Sequence, residues 1–286
     1  MRRSRPLRSA QGAFTLIEMV MVIVLAGIIG TVTSSLITRP VEGYLVASQR
    51  AELVDAAEMA LRTMARDIRS ALPNSVRVNA GGDAIEMISA VSGGRYRRYP
   101  DAGGGGDTLD FATSSTDTSF DVIGPMLNVG LVDTSNDELA VYNITAAGTS
   151  FNAYATTLDN RWGFVTGSGG TTLGSDPVHI VVNANLDLPQ GSPRQLFYVV
   201  SGPVMYRCNG TTLTRYAGYG YTTNMTVPPA SGTSATLAQN VDCAQTSFSY
   251  DAGSPQRAAL ITMRLVLSEG DQTITLLHQV HVYNVP

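Results

Sequence analysis

One residue stands out among those that could do chemistry. Glu18 is the single charge in the run GAFTLIEMVMVIVLAGIIG, Gly12 to Gly30. A carboxylate at a bilayer centre costs about 2.5–3.5 kcal/mol, and less near the interface, so an acid placed here needs a compensating partner. The other candidates are weaker. His278 and His281 have the spacing of metal ligands on a helix, but a strand sends them to opposite faces. His278 is therefore expected to face the core, and so is His179, which stands alone in PVHIVVN. GRYRRYP interleaves Arg95, Arg97 and Arg98 with Tyr96 and Tyr99, a pattern that can stack on and pair with nucleic acid. There is no nucleophile elbow with its histidine and acid, no phosphate loop, and no carboxylate pair in an informative context. No catalytic residue, metal site, cofactor or small-molecule substrate is expected.

Composition narrows the classes further. Basic residues number 19, all of them arginine, against 23 acidic. Arg2, Arg3, Arg5 and Arg8 fall in the first 13 residues; without them 15 basic residues face 23 acids, a balance of −8. A domain this acidic is a poor general binder of nucleic acid, so GRYRRYP reads as a solvated face or a subunit contact. The segment AGGGGDTLD, Ala102 to Asp110, differs at one position from the calcium-binding nonapeptide of β-roll proteins. Those sites are completed by successive repeats and only one copy is present, so a loop leading into a strand is expected. Two cysteines, Cys208 and Cys243, are too few for a zinc site and are expected to form one disulfide, with two free thiols as the alternative.

The elements that must position Glu18 begin at the N-terminus. Met19 to Thr38 is uncharged over 20 residues, enough for one bilayer-spanning helix. The preceding arginines hold the N-terminus in the cytoplasm and send the rest outward. Three readings compete. A cleaved secretory signal would end near Val24-Leu25-Ala26. A plain membrane anchor would leave Glu18 to snorkel at the interface. The third is a segment whose acid meets its partner only after processing.

The basic leader ending in Gly12-Ala13, then Phe14-Thr15-Leu16-Ile17-Glu18 and an apolar helix, resembles the class III signal of type IV pilins and pseudopilins. The resemblance implies that prepilin peptidase cuts between Ala13 and Phe14 and that Phe14 is N-methylated. It also implies that Glu18 neutralises the new amine of a neighbouring subunit during assembly. The family normally carries Gly where this chain has Ala13. The domains follow: 1–13 leader peptide, 14–39 transmembrane and assembly segment, 40–72 amphipathic second half of the helix, 73–286 periplasmic β-rich domain.

Beyond the span, Pro40 is expected to kink or break the helix. Leu45, Leu53, Ala57, Leu61, Met64, Ile68 and Leu72 then recur in steps that draw one apolar stripe, which predicts a helix ending near Leu72, before Pro73-Asn74. After Pro73 short strands are predicted over 84–90, 138–144, 178–183, 195–200 and 204–208, with Asn209-Gly210 as a hairpin turn. A second hairpin is predicted near the end. Ile261, Met263, Leu265 and Leu267 share a face of one strand; Ile274, Leu276, His278, Val280 and Val282 share a face of the next. The fold class is α+β: a long N-terminal helix, transmembrane in its first half, packed on an antiparallel β-sheet domain, in the manner of a type IV pilin.

The segments PVMYRCNGTTLTRY, NVDCAQTSFSYD and HQVHVYNVP are similar to those of a J-type minor pseudopilin, and most of all to a minor pilin of the mannose-sensitive haemagglutinin (MSHA) pilus. The resemblance implies a non-enzymatic subunit of the inner membrane, single-pass with its C-terminal domain in the periplasm, and found in the pilus after assembly. Its partners would be other pilins and minor pilins of the filament, prepilin peptidase, the inner-membrane assembly platform and membrane lipid. The corresponding pseudopilin of a type II secretion system is the nearest alternative, and an anchored adhesin or DNA receptor that never polymerises is a further one.

Overall fold

The computed structural model describes residues 14–111, 116–148, 150–156, 160–186, 190–253, 258–282 and 284. The chain divides into two units, Met1–Ala51 and Glu52–Pro286. One helix, α1, runs Leu16–Arg69 and carries Pro40 inside it without an interruption in the helical assignment. The expected break at Pro40 is therefore absent, and the helix ends at Arg69 instead of near Leu72. The cost of Pro40 is local: it has no N–H to give to the carbonyl one turn earlier.

In the first unit the helix is apolar over residues 19–34, and its side chains there are exposed. In the second unit its apolar stripe is buried as the spacing requires. Leu53, Ala57, Ala60, Leu61, Met64, Ala65 and Ile68 form one cluster with strand residues including Ile85, Tyr206, Met263 and Val280. Asp55, Arg62, Arg66 and Arg69 lie on the exposed side. Asp67 supplies a polar clasp at the edge of this contact: Tyr206 Oη donates to its Oδ2 at 2.7 Å and Arg215 Nε at 3.0 Å. Apolar packing is permissive about register, whereas this clasp has one geometry.

The strands are β1 (Arg77–Val78), β2 (Ala84–Arg95), β3 (Ser119–Asp121), β4 (Glu138–Val141), β5 (Arg161–Gly163) and β6 (His179–Val181). They continue with β7 (Leu196–Asn209), β8 (Thr212–Ala217), β9 (Thr233–Ala238), β10 (Ser247–Asp251), β11 (Ala259–Glu269) and β12 (Gln272–Val282). The described residues form a seven-stranded antiparallel sheet with order β1-β2-β7-β4-β5, to which β8 and β9 add beside β7. β7 is its spine. On one side it pairs with β2 along nearly its whole length, with a bulge between Ser89 and Ser92. On the other it pairs with β4 over Phe197–Val200 and with β8 over Met205–Asn209. Pro203 sits in the gap between those two partners, where a strand tolerates a residue with no N–H. The two separate strands expected over 195–208 are thus one strand.

A three-stranded sheet, β10-β11-β12, completes the packing around the second half of α1. Its β11–β12 hairpin turns at Gly270-Asp271, with Gly270 at φ 57°, a left-handed conformation that suits glycine. The β7–β8 turn is Gly210-Thr211; Asn209 is the last paired residue, one position earlier in the turn than expected. The faces predicted for the terminal hairpin hold: Ile261, Met263, Leu265, Leu267, Ile274, Val280 and Val282 are buried. The short strands β3 and β6 pair separately and, with Trp162, Phe164 and Phe197, enclose a second core.

Two devices hold the long loops. Glu86 on β2 is 1% exposed, accepts from Arg77 Nε at 2.5 Å and from Tyr219 Oη at 2.8 Å, and so is fully compensated. Arg77 also stacks 3.6 Å from the Tyr154 ring centre and donates to the Thr222 and Thr223 carbonyls. Cys208 and Cys243 are joined in a disulfide with Cα atoms 5.4 Å apart, closing 35 residues of chain across β8 and β9. Closing a loop of this size stabilises by roughly 4 kcal/mol in the chain-entropy model. Cys243→Ser is accordingly expected to lower the denaturant midpoint by an amount worth about 2–4 kcal/mol; an unchanged midpoint would show that the bridge contributes nothing.

Candidate functional site

Thr15 starts the helix. Its Oγ1 accepts from the Glu18 backbone N–H at 3.3 Å, three residues on, so Thr15 is the N-cap and Glu18 sits in the first turn. Thr-x-x-Glu is the capping-box pattern, a signal legible in the sequence that the charge argument alone passes over. An acid in the first turn is also favoured by the partial positive charge of the helix N-terminus. Among the described residues no side chain pairs with the Glu18 carboxylate. Phe14 precedes the cap and is 74% exposed. Gly12 and Ala13, the expected peptidase recognition residues, lie outside the described residues.

Leu16–Ser34 is long and apolar enough to cross a membrane. Leu16 is 84% exposed, and the other large apolar side chains as far as Val32 are exposed as well. Gly27 and Gly30 are equally unsupported: a Cβ at either position would meet nothing within 4 Å. A glycine inside a helix costs roughly 0.5–1 kcal/mol relative to alanine, and no internal packing accounts for these two.

The remaining candidates are placed as follows. His179 does not face the core. It is partly exposed on β6, with Nδ1 2.9 Å from Asp121 Oδ1 and 3.8 Å from Asp107 Oδ2. The reason is pairing: β3 sets Asp121 directly opposite His179. Asp107, from the glycine-rich run, accepts from Ser119 Oγ at 2.6 Å, while its N–H donates to Asp121 Oδ2 at 2.9 Å. That run braces β3. No three His, Cys, Asp or Glu side chains come together as metal ligands among the described residues. His278 is partly buried with an unpartnered Nε2, and His281 lies on the exposed face of the same strand.

GRYRRYP does not form a continuous cationic and aromatic surface. Tyr96 is fully buried, donates from its hydroxyl to the Ser192 carbonyl at 3.1 Å, and is pushed up to about 12 by burial. Arg97 is paired with Asp101 and lies 4.0 Å from Asp121. Arg98 stands 5.4 Å from the Phe111 ring centre, leaving Tyr99 as the exposed aromatic residue of the run. The comparisons with known proteins leave the arrangement to be read on its own terms: no family model, no curated protein and no solved structure matches the chain.

The Asp121 cluster makes a pH-dependent contribution. Burial pushes the Asp121 carboxyl up, but the Asp107 N–H, the His179 ring and Arg97 outweigh it and hold it below the usual carboxylate range. A group depressed in the folded state stabilises at pH above its unfolded value, near 3.9, and loses that stabilisation as pH falls through its folded value. Asp121→Asn is therefore expected to flatten the acid side of the stability profile below about pH 4, measured by thermal unfolding. An acid limb as steep as in the parent chain would contradict this assignment.

Proposed function

We propose that this chain is a minor pilin, processed by prepilin peptidase and built into a type IV pilus of the mannose-sensitive haemagglutinin type, within its initiation or tip complex. The observation that carries the reading is a capped helix start whose carboxylate pairs with no side chain among the described residues, followed by a run of exposed apolar side chains. Such a helix requires lipid first and, on leaving lipid, other helices. In both surroundings Glu18 needs a cation close by. An amine at Phe14, created by cleavage after Ala13 and then methylated, is that cation, and a neighbouring subunit is its source.

Membrane insertion is the state before assembly, with the arginine-rich leader in the cytoplasm, residues 14–39 in the inner membrane and the β-rich domain in the periplasm. The glycines support the same reading. Ala26, Gly27 and Gly30 let helices approach closely, and the backbone cost of the two glycines has no compensation among the described residues. The subunit's partners on this account are other pilins and minor pilins, prepilin peptidase, the assembly platform and membrane lipid. The head, an antiparallel sheet domain carried on the second part of α1, would be a pilin-type head. Its bulk suits a subunit used sparingly, because a large head is hard to repeat along a fibre. On this account the chain itself performs no catalysis.

Glu18→Val is expected to abolish incorporation into pili while leaving membrane insertion and leader cleavage intact, read by immunoblotting of sheared filaments against membrane fractions. Filaments that contain the variant at the parental level would reject the proposal in favour of an anchored protein that does not polymerise.

A further inference from the structure

The three-stranded sheet ends at β12, an 11-residue strand with no neighbour on its outer side among the described residues. Hydrogen bonds on the far side of β11 show which groups that edge presents. Val266 donates its N–H to Thr246 Oγ1 and accepts from the Asp242 N–H, and Ser268 donates to the Asn240 carbonyl. Both residues therefore point away from β12. Opposite residues of an antiparallel pair exchange both ladder bonds or neither, so their partners Thr275 and Thr273 point outward as well. With a period of two, Leu277, Gln279 and His281 follow. Among the described residues no backbone group meets them on that side.

Sheet edges are ordinarily blunted by shortness, charge, proline or a bulge. β1 and β5, which end the larger sheet, are two and three residues long. β10 is partly covered, because Phe248 donates to the Gly82 carbonyl at 2.7 Å, and β9 has only six residues. β12 has none of these protections. It reads QTITLLHQVHV, without Lys, Arg, Asp, Glu or Pro, and pairs with β11 without a register shift. Leu277, at its middle, is 64% exposed. Beside it lies a hollow of about 260 Å³ lined by Leu61, Leu276 and His278, with Glu58 and Arg62 of α1, which pair with each other at 2.6 Å. Water can satisfy the edge groups singly, but only an extended backbone satisfies them in register. The side chains around them are neutral or mutually paired, so they complement an uncharged strand with alternate apolar side chains.

We propose that β12 accepts an added strand, an uncharged extended segment of a different polypeptide. A second copy of this chain is the wrong donor. The second half of α1 packs on this sheet, and a copy joined antiparallel through β12 would turn its α1 end for end. The two Glu52 ends, each leading to a membrane-length segment, would then face opposite ways. That exclusion rests on the membrane reading; the strand pairing stands without it. The test uses the full chain in lipid nanodiscs, with hydrogen–deuterium exchange read at single amides and a capped, alternating threonine–valine peptide as probe. In the free chain the amides of Thr273, Thr275, Leu277 and Gln279 are expected to exchange fast, and those of Ile274, Leu276, His278 and Val280 slowly. The peptide should slow the outward set saturably; the same peptide with Pro-Pro at its centre, which lacks donors there, should not. Leu277→Lys is expected to weaken the peptide about fivefold, the scale of one cross-strand pair. Thr275→Pro removes only an outward N–H, which an edge tolerates, and should abolish the slowing while Ile274 and Leu276 stay slow. If those two speed up, Leu277→Lys, at an exposed position, decides alone. Outward amides that are slow without peptide, or that slow with the concentration of the chain itself, would overturn the proposal. So would the absence of saturable slowing, equal effects of the two peptides, or parental binding by Leu277→Lys.

Discussion

A membrane-length apolar helix with exposed side chains is the constraint from which the rest follows. At roughly 25 cal/mol per Å² of apolar surface, the side chains from Phe14 to Val32 cannot stay in water without a large cost. They must face lipid or other helices. Inside either medium a lone carboxylate is expensive unless a cation meets it, so the position of Glu18 restricts what can lie beside it. The N-cap at Thr15 places that acid in the first turn, where the helix end itself supplies part of the compensation. On the proposed reading, the part left over comes from another chain or from a processed N-terminus.

The second unit obeys different rules. There the same helix buries one stripe, and charged groups taken out of water are compensated inside the chain. Glu86 has Arg77 and Tyr219; Asp67 has Tyr206 and Arg215; Arg161, nearly buried, pairs with Glu138 and stacks 3.5 Å from the Tyr221 ring centre. Breaking a pair of this kind by removing one partner typically costs about 3–5 kcal/mol. Such networks tie loops to strands within the second unit. The contrast is informative: Glu86, Asp67 and Arg161 are compensated inside the chain, and among the described residues no side chain pairs with Glu18.

The sequence made some of this legible and hid the rest for physical reasons. The apolar stripe from Leu53 to Ile68 and the alternation in the terminal hairpin were readable because period and burial coincide over many residues. β7 was harder. Ser201-Gly202-Pro203 looks like a break, yet the strand continues because β2 pairs along the other edge and the gap between β4 and β8 accommodates Pro203. The short strands β1, β3 and β5 are two or three residues each and carry no periodicity to detect. His179 looked like a core residue because its neighbours are apolar; its partner Asp121 lies 58 residues earlier, beyond the reach of local pattern. At the candidate site, Glu18 was conspicuous by charge, whereas the role of Thr15 appears only when its spacing to Glu18 is read as a cap.

The central claim is that the partner of Glu18 is an amine created by cleavage at Phe14. Intact-mass and N-terminal peptide analysis of protein purified from a host with working pilus machinery tests it most directly. The account predicts a chain that begins at Phe14 and carries one N-methyl group. A chain that retains its arginine-rich first 13 residues, or one that begins at Gly27 after secretory cleavage, would contradict it.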